Sequence, residues 1–151
     1  STIVVATNEW KYHAELKLEL DENLPFVPCN IGEINQVVLN LVVNGAHAIR
    51  DRFQDGQKGD LIISTKHYAD AGCVVISIND NGGGIPPKVQ ARIFEPFFTT
   101  KEVGVGTGQG LAIAHNVIVK SHHGQIWFDS KEGEGTTFYI KLPMKQKQSE
   151  G

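Results

Sequence analysis

Hydrophobic residues recur along this chain with two periods. In AELKLEL (14–20), Leu16, Leu18 and Leu20 alternate with Glu15, Lys17 and Glu19, the two-residue period of a half-buried strand, and TIVVAT before it predicts a partner strand. From 32 to 50 the period lengthens. Ile34, Val37, Val38, Leu41, Gly45, Ala48 and Ile49 fall at helical spacing and form one apolar stripe, predicting the longest helix. DGQKGD breaks it, and LIISTK (61–66) and CVVISIND (73–80) predict two strands joined through ADAG. A loop-like stretch then leads to GVGTGQG (104–110), which opens a helix over LAIAHNVIVKSHH. QIWFDS and TTFYIKLP, around the turn KEGEG, predict two final strands. Helices mixed with mainly antiparallel hairpins predict an α+β fold: a two-layer sandwich of a mixed, mostly antiparallel sheet backed by helices. No repeat or linker divides the chain, so one domain is expected over 1–145, followed by a loose polar tail over 146–151.

Composition narrows the classes of function. With 151 residues, 40% of them hydrophobic, the chain can bury a core of its own. A net charge of -3 leaves no basic footprint for nucleic acid, and the sequence holds no apolar run long enough to cross a bilayer. Cys29 and Cys73 stand apart with no ligand spacing, which fits buried thiols in a reducing cytoplasm better than metal or redox chemistry. A start at Ser1 without a signal peptide suggests a fragment of something longer.

Chemistry-bearing residues gather in four places. On the long helix, Asn40, Asn44 and His47 are four and three residues apart and project from one side. Asparagine is a poor helix former, so two in mid-helix call for a reason beyond a solvated flank, and amide oxygens suit a hard cation such as Mg²⁺. DNGGGIP (80–86) follows a strand. Its carboxylate Asp80 can accept a hydrogen bond from an exocyclic amine, while Gly82 and Gly84 would let a flat ligand lie against the backbone. A plain Asx turn would need one glycine, not three. In GTGQGLAIA, Gly106, Gly108 and Gly110 stand at a helix entry, where bare amides and the helix dipole favour an anion. No GK[ST] or G-x-G-x-x-G pattern occurs. Between the two glycine clusters, PPKVQARIFEPFFTTKEVGV has the length and hinges of a lid. Phe94 and Phe97 in it suit packing, and Lys101 could reach a phosphate or simply stand in solvent.

Taken in order, NQVVLNLVVNGAHAI, DNGGGIP, IFEPFFTTK, GTGQGLAIA and GEGTTFYIKLP resemble the N, G1, F and G2 boxes and last strand of the ATP-binding catalytic domain of bacterial two-component sensor histidine kinases, over residues 14–143. The resemblance implies the Bergerat ATP-binding fold shared with DNA gyrase, the heat-shock chaperone ATPases and mismatch-repair ATPases. ATP and Mg²⁺ would be bound under a mobile lid. Asp80 would read the adenine amino group, with Thr136 supporting the ring, and Asn44 would ligate Mg²⁺. Gly82, Gly84, Ile85, Phe98, Gly106, Thr107, Gly108, Gly110 and Leu111 would complete the nucleotide site, with the glycines of 106–110 offering amides to the phosphates. Asn40, His47 and Lys101 would form the catalytic set. Gln109, where leucine is usual, and Gly45, where alanine is common, depart from the pattern.

None of the six histidines sits in the helical context of a phosphoacceptor; His122 and His123 fall at a helix end, where a cation or a simple cap suffices. The resemblance therefore implies a cytoplasmic kinase half whose partners are a dimerisation and phosphoacceptor domain of the same parent and a response regulator's receiver domain, without nucleic acid or direct membrane contact. Three alternatives share the fold: an ATP-hydrolysing machine, a nucleotide-binding regulatory module and an anti-sigma serine kinase. Hydrolysing relatives carry glutamate where this chain has Asn40, and asparagine cannot act as a base on water.

Overall fold

The computed structural model describes residues 14–22, 27–95 and 110–144. Among these residues five strands form one sheet in the order β1-β2-β3-β5-β4: β1 (Ala14–Glu19), β2 (Gly59–Tyr68), β3 (Cys73–Asp80), β4 (Gln125–Lys131) and β5 (Gly135–Pro143). Among the described residues only β1 and β2 pair in parallel, Leu16 opposite Leu61; the other pairings are antiparallel, with Asp80 opposite both Leu61 and Thr136. The mixed α+β sandwich expected from the sequence is therefore present. The partner strand expected at TIVVAT, the lid segment (86–105) from residue 96 on, the glycine cluster up to residue 109 and the polar tail lie outside the described residues.

Helix α1 (Ile31–Arg52) lies on one face of this sheet. Asn30 starts it, its side-chain oxygen accepting the Glu33 N–H at 3.0 Å and so satisfying one of the orphan amides of the first turn. Its stripe of Ile34, Val37, Leu41, Val42, Ala46 and Ile49 is buried against Leu61, Ile63, Ile78, Phe138 and Ile140 from the sheet. Between β3 and the next long helix, Pro87–Gln90 makes a single turn, α2.

Helix α3 (Gly110–Asn116) packs beside α1, and the stretch read as one continuous helix changes pitch after it: Val117–Ser121 is a π-helical turn. The widened turn closes with His122 N–H on Val117 O at 3.1 Å and Gly124 N–H on Ile118 O at 2.8 Å, with His123 left-handed at φ 55° between them. His122 is not an exposed cap. It is 3% accessible, its Nε2 accepts the Asn30 N–H at 2.9 Å, and its Nδ1 lies 2.9 Å from Val117 O. Because Nε2 accepts, the ring proton sits on Nδ1 and is donated to that carbonyl. One imidazole thus ties the end of α3 to the start of α1.

Candidate functional site

Helix α1 is the spine of the site. At about 1.5 Å per residue, Asn40 and Arg52 are about 18 Å apart, and the residues between them meet successive parts of the two loops. Asn40 comes first. Its amide carbon and nitrogen lie 3.8 Å from where a Cβ on Gly110 would stand, so the first asparagine faces the residue that opens α3. Gln36, one turn earlier, donates from Nε2 to Asn40 Oδ1 at 3.2 Å. With its oxygen engaged there, Asn40 offers its NH₂ to other acceptors. Asn44 and His47 follow on the same helix, both half-buried.

Gly45 lies against Asp80. A Cβ there would stand 2.7 Å from Leu61 Cδ2 and 3.3 Å from Asp80 Cβ, so the glycine found where alanine is common lets α1 close directly on the end of β3. Asp80 is 5% accessible, and its Oδ1 accepts the Gly82 N–H at 2.9 Å. Burial pushes its carboxyl from an ordinary value of 3.8 up to about 6, outweighing the opposing pull of backbone hydrogen bonds from Gly82 and Thr136. A carboxylate kept in so apolar a place is poised to gain from any donor that reaches it.

Two of the three glycines after Asp80 are required by the protein's own backbone. A Cβ on Gly82 would stand 2.6 Å from the Ala48 carbonyl carbon, and Gly84, at φ 76°, is pressed against the Lys131 carbonyl. Gly83 alone has open space around its Cα, while its carbonyl accepts the Gly133 N–H at 2.7 Å. Sequence reasoning attributed Gly82 and Gly84 to a ligand; the close approach in this structure is by α1 and the β4–β5 turn. Asn81 is likewise turned inward, its Oδ1 accepting the Asp60 N–H at 2.7 Å.

Thr136 is buried opposite Asp80, and its hydroxyl meets Ser130 Oγ at 2.8 Å. That same Oγ lies 2.7 Å from the Ile85 N–H, which donates to it. Ser130, which the sequence reading missed, therefore links the glycine loop to the last strand. Ile85 and Leu111 pack at the rim of the core. Phe94 packs as expected, with ring centroids 5.3 Å from His115 and 6.1 Å from Phe128. Asp80, Gly82, Ile85 and Thr136 are thus brought together at one end of the site, and Asn40 and Gly110 at the other. Phe98, Lys101, Gly106, Thr107 and Gly108 lie outside the described residues.

Residues 29–146 match the profile of the histidine kinase-, DNA gyrase B- and HSP90-like ATPases. The chain belongs to this family. Among its relatives, the sensor kinase CckA of Brucella abortus is 42% identical over 142 residues, covering 85% of this chain and 14% of CckA. The catalytic domain of histidine kinase ThkA superposes with a TM-score of 0.77 at 30% identity, covering 95% of this chain and 89% of that domain. A structure of ThkA in complex with the response regulator TrrA superposes with a TM-score of 0.73 at 26% identity, covering 97% of this chain and 39% of ThkA. This domain therefore has the ATP-binding fold of the histidine kinase catalytic domains. It spans a small part of full-length sensor kinases such as CckA. No helix among the described residues is long and apolar enough to cross a membrane.

Proposed function

We propose that this domain binds Mg·ATP and transfers the γ-phosphoryl group to a histidine on a separate dimerisation and phosphoacceptor domain of its parent protein, on the cytoplasmic side and upstream of a receiver domain. The observation that carries the reading is Asp80: a buried carboxylate, raised towards neutral pH, at the end of a strand and beside Thr136. A hydrogen-bond donor such as an exocyclic amine would relieve its desolvation, and a base offering a carbonyl there would not.

At the other end, Asn40 supports a transferase over a hydrolase. An amide oriented by Gln36 can donate to a phosphate or position water, but it cannot take a proton from a nucleophile at neutral pH. The acceptor must bring its own activation, and the domain's part is to hold ATP in line and exclude water. Among the described residues no three His, Cys, Asp or Glu side chains form a metal cluster. A single amide oxygen from Asn44, completed by phosphates and water, suits Mg²⁺, which keeps waters and binds through few protein ligands. When bound, that ion would screen the phosphate charge.

Incubation with γ-labelled ATP, with and without the parent's phosphoacceptor domain, tests the reading. Acid-labile, base-stable label on the added domain and slow phosphate release by the chain alone are expected. Rapid release by the chain alone would replace the kinase reading with an ATPase.

A further inference from the structure

Arg52, the last residue of α1, reaches beyond its own helix. Its Nη1 donates to Asn81 O at 2.8 Å and stands 3.4 Å from both Gly82 O and Glu134 O. The first two carbonyls belong to the loop that leaves Asp80; the third belongs to the turn that leads into Thr136. Those two loops already lean on each other through Gly133 N–H on Gly83 O at 2.7 Å and through Gly135, where a Cβ would collide with the Asp80 carbonyl. The guanidinium also lies over the Phe53 ring, 4.9 Å from its centroid, which limits the directions the fork can take.

We propose that Arg52 is a positioning residue for base recognition: Asp80 and Thr136 are neighbours in the β3–β5 ladder, and Arg52, by joining the end of α1 to the loop after Asp80 and to the turn before Thr136, holds the rim of the pocket that an adenine must fit. This rests on the ATP-binding reading above. Arg52 is exposed, so water can replace it on all three carbonyls when it is removed, and the cost should fall on the geometry of the pocket more than on the fold. All three contacts come from Nη1; lysine also offers a single nitrogen, but on a flexible stem and without the planar group that lies over Phe53, so it should brace the two loops less firmly.

NMR titration of this chain, Arg52→Ala and Arg52→Lys with adenosine and with ATP tests the inference. Arg52→Ala should weaken both ligands by the same factor, about five- to tenfold, with a melting midpoint within about 2 °C of the parent. Arg52→Lys should recover part of that loss. In Arg52→Ala without ligand, the Gly133 amide should exchange faster with solvent while amides in the centre of β5 keep their protection. Loss confined to ATP would make Arg52 a phosphate contact and overturn the inference, as would unchanged affinity for both ligands. A parent chain that binds neither ligand would overturn the ATP-binding reading and this inference with it.

Discussion

Asp80 and His122 are both buried, and they are treated in opposite ways. His122 is held on both ring nitrogens, by the Asn30 N–H and the Val117 carbonyl. Asp80 is held at the end of β3 by backbone N–H groups that do not offset its desolvation, and its carboxyl is raised to about 6. The first arrangement is complete and joins two helices. The second is costly in the free protein and becomes favourable when a donor arrives. A buried polar residue whose needs are met belongs to the fold, and one whose needs are unmet points to a ligand.

The largest effect is expected at His122. His122→Ala should leave the Asn30 N–H without its acceptor and open a cavity, lowering stability in chemical denaturation by about 2–4 kcal/mol. Nucleotide affinity, measured well below the melting midpoint, should hold.

Asp80→Asn should do the reverse, stabilising the nucleotide-free domain by up to about 3 kcal/mol at pH 7.5 while weakening ATP about ten- to hundredfold. The sign follows from the raised carboxyl: between about pH 4 and 6 the native state holds a proton that the unfolded chain has released, so the parent loses stability as pH rises through that interval. The advantage of Asn over Asp should therefore be absent below about pH 4 and complete above about pH 6. Denaturation across that range checks it.

A smaller contrast separates the glycines. Gly82→Ala should cost about 1–3 kcal/mol, because its Cβ would meet the Ala48 backbone. Gly83→Ala should stay within about 0.5 kcal/mol of the parent. Thermal denaturation of both variants without ligand tells whether packing or a ligand requires the glycine at 82.

The periodic parts of the molecule were legible in the sequence. A stripe read from 32 to 50 became a helix from Ile31 to Arg52, and the alternating runs became β1 to β5, because amphipathic period is what the sandwich buries. Asp80 was legible as chemistry because a carboxylate closing an apolar strand is out of place. What stayed hidden depended on residues far apart in sequence. Gly45 read only as a departure from the pattern until Leu61 and Asp80 were seen against it, and Gly82 and Gly84 read as room for a ligand until Ala48 and Lys131 were seen against them. His122 read as a helix cap because its partner, Asn30, is 92 residues away. The π-turn that brings them together has the same apolar pattern as an α-helix.

Base selectivity at Asp80 is the central claim, and calorimetric titration of this chain with Mg·ATP and with Mg·GTP at pH 7.5 tests it most directly. ATP should bind with GTP at least tenfold weaker, because the guanine carbonyl would face the Asp80 carboxylate where adenine presents an amine. Equal binding of the two nucleotides, or undiminished ATP affinity in Asp80→Asn, would contradict the account.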